Sequence, residues 1–409
     1  MKRFKSFSRY AVLIIFLLLT NNLSAQTAYT GTDVMNVDSV EISLLTCDPR
    51  QNVYSLYGHT AIRINNHAST PGESYDIAVN YGMFSFEKPF FILRFVFGLT
   101  DYEMDIEDFM SFKEHYSAFG CGVRQQTLNL TADEKRAIIK AIAVNAQPEN
   151  KVYRYNYFYD NCTTRARDIL VNSINGKVVY GKMNGSESHP SYRQMIHAHN
   201  GQHPWARFGN DMLLGVQADR PTDARQQQFL PDNLRQAFDN AIIVEKNGTK
   251  RQLVKRSSWI LPHVEHPVES EFPFTPTQCA AMLATIVVAI TAMEWFKKNN
   301  YWIIDTILLA VTGICGLLLL AMVFSYHPTV KLNFQILLLN PLSLILLYPT
   351  IKRLRRRQLY WWVPTYTLLI IAFFICGFFQ DYAEGMNIVA LCLLLRYLSK
   401  TIQLVRNKK

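Results

Sequence analysis

The chain has 409 residues, of which 49% are hydrophobic, and a formal net charge of +10. The excess positive charge sits at the extreme N-terminus and in short basic clusters beside apolar runs, a membrane-topology pattern that argues against a nucleic-acid partner. Residues 27 to about 275 read as a globular mixture, long enough to bury a full core without staples, and long apolar runs dominate from about 278 onward.

At the N-terminus, Lys2, Arg3, Lys5 and Arg9 precede the apolar stretch Ala11 to Thr20, and Asn-Asn-Leu-Ser-Ala leads to a cleavage point after Ala25. This is the layout of a signal peptide over 1–25, with an uncleaved anchor as the alternative. Both predict an exported domain over 26–256. Within it, Val40–Thr46, His59–Ile64 and Tyr75–Tyr81 read as strands bounded by turn residues. Thr131-Ala-Asp-Glu134 opens a helix through about Asn145 with a capping box. Tyr153–Phe158 alternates as a strand would, and Asn161 is placed to cap a helix from Thr163 to about Ile174. Residues 183–260 predict loops and small helices. Ser257–Pro276, with four prolines, reads as a linker into the membrane, set at 257–277.

The C-terminal third, 278–409, predicts spans at roughly 278–296, 301–324, 334–351, 360–379 and 387–405. The fifth contains Arg396 and Lys400, which snorkelling toward an interface would accommodate. Lys297 and Lys298 follow the first span, Lys352 to Arg357 the third, and Lys400 to Lys409 close the chain. Five spans starting from the exported side therefore place every basic cluster in the cytoplasm. The fold class expected is α+β for the exported domain, followed by an α-helical transmembrane bundle of about five helices.

Of the seven cysteines, only Cys47, Cys121 and Cys162 fall in the exported domain. An odd number in an oxidising compartment leaves at least one unpaired thiol, and a Cys47–Cys121 bridge is compatible with export. Cys162 follows the polar turn of Tyr157-Phe158-Tyr159-Asp160-Asn161 and starts a helix, where the helix dipole and free N–H groups favour a thiolate and offer an oxyanion site. The bland alternative is a buried packing cysteine. Among ten histidines, His59 follows a glycine and opens a strand, which suits a general base. Asn80 and Asp76 share parity on the next strand, and either is placed to orient the imidazole. His197 and His199 form an HxH pair with no third ligand nearby, so no metal is expected.

Taken together, Leu44-Leu-Thr-Cys47-Asp-Pro, Tyr57-Gly-His59-Thr-Ala-Ile-Arg63, Asn80-Tyr-Gly-Met-Phe84, Tyr159-Asp-Asn-Cys-Thr-Thr-Arg165 and the later Asn340-Pro-Leu342 resemble the Lnb-type lipoprotein N-acyltransferases. The order of histidine strand, polar strand and Asn-Cys helix start is also similar to the circularly permuted papain-like (NlpC/P60-like) superfamily. The resemblance implies that Cys162 is an acylated nucleophile and His59 its base. Tyr57, Arg63, Asn161 and Arg165, within the same motifs, are candidate substrate-binding residues. It further implies a membrane phospholipid as acyl donor, a diacylated lipoprotein as acceptor, no cofactor, and a bacterial inner-membrane, multi-pass location with a periplasmic catalytic domain. A cell-wall cysteine peptidase or amidase and a phospholipid acyl hydrolase are the rival expectations.

Overall fold

The computed structural model describes residues 36–50, 52–68, 74–181, 189–264 and 272–406, so the signal-peptide expectation for 1–25 lies outside the described residues. The N-terminal part is built on an antiparallel sheet. Its strands are β1 (Val40–Cys47), β2 (His59–Asn66), β3 (Tyr75–Met83), β4 (Asp101–Asp108), β5 (Val123–Leu128) and β6 (Val152–Arg154). A small second sheet holds β7 (Lys177–Val179), β8 (Ile242–Val244) and β9 (Lys250–Gln252), and β10 (Val254–Leu261) returns to the first. The large sheet runs in the order β10-β5-β1-β2-β3-β4-β6.

Both faces of the sheet are covered, which is why β1 is buried at nearly every position. Val40, Ile42 and Leu44 enter one core, together with α3 (Ala132–Asn145) and α4 (Cys162–Asn172). Leu45 and Cys47 enter the other, beneath α2 (Phe109–Ala118). A short helix, α1 (Phe91–Val96), lies between β3 and β4. Later come α5 (Tyr192–Asn200), α6 (Pro204–Leu213) and α7 (Pro231–Asp239).

Several local expectations need correction. The Tyr153–Phe158 strand ends at Arg154, because Asn156 and Asp160 exchange backbone hydrogen bonds and fold the chain into a turn before the cysteine helix. The linker cannot begin at 257, since β10 pairs with β5 as far as Leu261↔Val123. Within 183–260, β8 and β9 escaped notice because they are three residues long, too short to show a period.

Four helices form the main membrane-region scaffold: α8 (Pro276–Lys297), α9 (Trp302–Val323), α10 (Trp362–Cys376) and α11 (Met386–Arg406). Among the described residues, α8, α9 and α11 are long and apolar enough to cross a membrane, and α10 is a shorter apolar helix. The third expected span, 334–351, is not one helix. It breaks into a turn at Phe334–Leu337 and short helices at Leu342–Ile345 and Leu347–Arg355. Pro341 lacks an N–H and cannot extend a helix through that point. The irregular backbone is buried against protein rather than lipid, as non-helical backbone at membrane depth must be. A Cβ on Gly316 of α9 would lie 2.5 Å from Leu339 O, and the Tyr366 hydroxyl donates to Leu338 O at 2.6 Å.

Arg396 and Lys400 do not snorkel. Both are buried with Glu294 and Asp305: Arg396 donates to Asp305 at 2.7 and 2.8 Å and contacts Glu294 at 2.7 Å, while Lys400 pairs with both acids. An acid on α8 and another on α9 gave the cations partners nearer than any interface.

The two parts are bonded together at one end of the bundle. Gln335 Nε2 donates to Asp211 O at 2.8 Å, Asn333 Nδ2 to Met212 O at 2.9 Å, and Gln380 Nε2 to Leu214 O at 3.2 Å. Backbone bonds join Gly215 N to Thr329 O and Val216 N to Leu332 O. Lys297 sits at the far end of the 22-residue α8, about 33 Å from that helix's start by helical rise. There the Arg357 guanidinium donates to Lys298 O at 2.7 Å, which gathers basic clusters opposite the docked domain.

Candidate active site

The site begins with a helix start. Asn161, in extended conformation, accepts from Thr163 N at 3.0 Å and Thr164 N at 2.9 Å, and its own N–H donates to Thr164 Oγ1 at 2.8 Å. The Asn161 amide donates to Tyr157 O and Phe229 O, both at 2.9 Å, which clamps the cap to the preceding turn and to the loop before α7. Cys162 thus occupies the first helical position, 9% exposed, with its side chain at the sheet. The cap consumes the Thr163 and Thr164 N–H groups, so the oxyanion site expected from free helix-start donors narrows to the Cys162 N–H.

Gly82 makes room for the thiol. It adopts φ +82 at a register shift in β3, and a Cβ there would lie 3.5 Å from Cys162 Cβ and 3.2 Å from Tyr155 Cε2. Thr163 Oγ1 meets Thr60 Oγ1 at 3.0 Å, pinning the first turn of α4 to β2 beside His59.

His59 is the first residue of β2 and remains partly exposed. Its Nε2 lies 3.0 Å from Asn80 Oδ1. Asn80 is buried, and its Nδ2 donates to Glu107 Oε1 on β4 at 2.7 Å. The carboxylate can only accept, so the Asn80 amide must turn its oxygen toward the histidine. Nε2 therefore carries the proton, and Nδ1 is left to face the thiol as acceptor. Burial pushes the Cys162 thiol up, but the charge and hydrogen bond of His59, with bonds from the Thr60 backbone and Thr163 hydroxyl, outweigh it and hold the thiol below its ordinary value. Burial pushes the His59 imidazole down, and the charge and bond of Cys162 with the bond to Asn80 outweigh it, so the ring titrates above its ordinary value. The arrangement can supply a thiolate nucleophile and an imidazolium acid from one pair.

Asp76 does not reach this group. Its carboxylate takes Arg63 Nε at 2.8 Å and is held by the second guanidinium nitrogen. Arg63 also donates to Gln125 Oε1 at 2.7 Å and lies over the Phe109 ring at 3.5 Å. Register explains the division. Asn80 pairs with Ala61 and Asp76 with Asn65, so each contacts the residue two places before its partner, His59 and Arg63 respectively. The other expected binding residues are also committed to the framework. The Tyr57 hydroxyl accepts from Asn210 at 2.6 Å and Asn200 at 3.3 Å, and Arg165 grips Asp160 at 2.7 and 2.9 Å above the Tyr153 ring. These bonds hold the turn and the start of the helix in place.

Cys47 and Cys121 are free thiols, not a bridge. Cys47 stands opposite His59 in the β1–β2 register, and burial pushes its thiol far above the ordinary range. A thiol so disfavoured as thiolate is a poor rival nucleophile. His197 Nε2 contacts Asp211 at 2.8 and 3.0 Å and His199 Nδ1 contacts Met195 O at 3.1 Å, so the pair diverges. Sequence reasoning missed Glu107. Its only signal was an acidic residue on an unrecognised strand.

A domain docked on apolar helices thus places a helix-start cysteine beside a histidine and an asparagine from neighbouring strands, in a chain built as a membrane protein. Residues 26–197 match the Lnb N-terminal periplasmic domain, and residues 267–408 match the Lnb transmembrane domain. The chain belongs to the Lnb family and carries both domains in sequence order. It is accordingly a membrane protein with a periplasmic domain, of the kind concerned with lipoprotein maturation. No curated protein and no solved structure matches it.

Proposed function

We propose that the protein is a lipoprotein N-acyltransferase of the bacterial inner membrane, with five passes and a permuted papain-like catalytic domain. The observation that carries this reading is the Cys162–His59–Asn80 row in a domain bonded directly to a membrane bundle. Its substrates would both be anchored in the bilayer: a phospholipid as acyl donor and a diacylglyceryl-cysteine lipoprotein as acceptor.

In the first half-reaction, Cys162 Sγ attacks the ester carbonyl of the phospholipid. The carbonyl electrons move to oxygen, facing the Cys162 N–H at the positive end of α4. Collapse breaks the ester C–O bond, and the proton on His59 passes to the leaving glycerol oxygen. A thioester and a lysophospholipid result, with His59 neutral. In the second half, the lipoprotein α-amine attacks the thioester carbonyl while His59 removes its proton. The C–S bond breaks, leaving an amide on the lipoprotein and restoring the thiolate–imidazolium pair. Asn80 keeps the ring oriented through both halves, with Glu107 holding Asn80.

The test is intact-protein mass spectrometry of the full chain after incubation with phospholipid. An acyl adduct that hydroxylamine removes and that Cys162→Ala lacks is the expected result. An adduct retained in Cys162→Ala would overturn the assignment. Release of free fatty acid, undiminished by supplying diacylated lipoprotein, would favour hydrolysis instead.

A further inference from the structure

The residues between β3 and β4 are unlike a solvated loop. Phe86, Phe90, Ile92, Leu93 and Phe95 are 60, 79, 77, 56 and 42% exposed, forming an apolar patch on and around α1. Patches of this kind mark a partner or membrane surface. Phe90 also holds the left-handed φ of +58, an unfavourable conformation for a bulky residue, so the most exposed ring is displayed at a cost.

Position identifies the occupant. Phe97 O accepts from Tyr326 N at 3.0 Å, and the Phe95 ring stands 6.0 Å from His327. Tyr326 and His327 follow directly on α9, where Phe324 and Tyr326 are 70 and 71% exposed. The apolar surface of α1 is thus continuous with the exposed apolar surface of a membrane-crossing helix. A row of rings then leads inward from α1. Phe91 stacks on Phe84 at 5.6 Å, Phe84 meets Tyr102 at 5.0 Å, and Tyr102 stacks on Tyr155 at 4.2 Å. Tyr155 and Cys162 both close on Gly82.

We propose that residues 84–97 form a membrane-inserted portal. Their apolar side chains enter the periplasmic leaflet of the bilayer that holds the chain's own helices, and the ring row guides a phospholipid acyl chain toward Cys162. The guiding role rests on the acyl-transfer reading; the insertion does not. Interfacial insertion of a short aromatic segment, added to spanning helices, fixes both the height and tilt of the site over the lipid.

The full chain, reconstituted in phosphatidylethanolamine–phosphatidylglycerol vesicles doped with a phospholipid carrying a diazirine in one acyl chain, provides the test. After irradiation, peptide mass spectrometry should find adducts within 84–97 as well as in α8, α9 and α11. Val144 and Val179, exposed apolar residues elsewhere on the domain, should carry none. The Ile92→Asp/Leu93→Asp variant should lose the 84–97 adducts and form acyl-Cys162 at least tenfold more slowly, with iodoacetamide labelling of Cys162 unchanged. Labelled helices without adducts in 84–97 would overturn the insertion. Adducts in the wild type together with wild-type acylation by the double variant would overturn the portal. Adducts with no acyl-Cys162 in the wild type would uphold insertion and sink the acyl-transfer reading alone.

Discussion

His59 Nε2 and Asn80 Oδ1 lie 3.0 Å apart across neighbouring strands, and Glu107 decides which way round that bond is made. Because the carboxylate takes the Asn80 amide nitrogen, the oxygen is left for His59, and the proton must sit on Nε2. Orientation of the base therefore passes through three strands, from β4 to β3 to β2.

This division of labour separates two polar residues of one strand. Asn80→Ala should slow formation of acyl-Cys162 by roughly 100-fold, within the range that a positioned acid–base is worth. Asp76→Asn should leave that rate at the wild-type level and cost about 1 kcal/mol of stability, as loss of one partly exposed ion pair does. Single-turnover acylation and thermal melts of the two variants distinguish the roles. Equal rate losses in both would remove Asn80 from its special place.

The pH response of the thiol carries a definite sign. Burial pushes the Cys162 thiol up, and His59 more than offsets it, holding the thiol below its ordinary value. Iodoacetamide alkylation of Cys162, read by peptide mass spectrometry across pH, should therefore rise with an inflection below that of an ordinary thiol. In His59→Ala the lowering contributions of the ring vanish while burial remains, so the inflection should move up. An unmoved inflection would show that the histidine does not share the proton with Cys162.

Docking of the two parts rests on buried polar contacts rather than apolar area alone. Gln335 is fully buried, gives Nε2 to Asp211 O and accepts the Ala383 N–H at 3.2 Å. Gln335→Leu leaves the Ala383 N–H without its acceptor and Asp211 O with only the 3.4 Å bond from Arg193, and should cost about 1–3 kcal/mol. Limited proteolysis between 262 and 275 should then quicken relative to the wild type. Unchanged cleavage would mean that the backbone bonds to Thr329 and Leu332 suffice.

The buried charge cluster makes the opposite kind of prediction. Arg396→Met leaves Asp305 and Glu294 short of a partner in a dry setting and should cost about 3–5 kcal/mol. Arg396→Met combined with Asp305→Asn removes one charge of each sign and should recover a large part of it. Thermal unfolding in detergent measures both. A double variant less stable than the single by the full additive amount would rule out the coupling.

Much of this was legible along the chain. The capping box at Thr131 and the Asn161 cap are local hydrogen-bond codes that need no tertiary partner, and both helices begin there. The strands around His59 and Asn80 carried turn residues at their ends. What failed was longer in range. Arg396 and Lys400 seemed to need an interface because their acids lie about a hundred positions away in sequence. The apolar run at 334–351 looked like a span because hydropathy does not register where Pro341 interrupts the ladder.

By itself the sequence determined that a cysteine would open a helix, that a histidine would open a strand, and that basic clusters would gather at one end of an apolar bundle. These follow from caps, turns and charge placement, all short-range properties. Only the tertiary structure decided between Asn80 and Asp76, because residues four apart on one strand differ by about 13 Å in reach and only the pairing register says which one meets the ring. It also brought in Glu107 and placed the aromatic segment beside the end of α9, since strand order and docking depend on which surfaces bury each other, information spread over the whole chain.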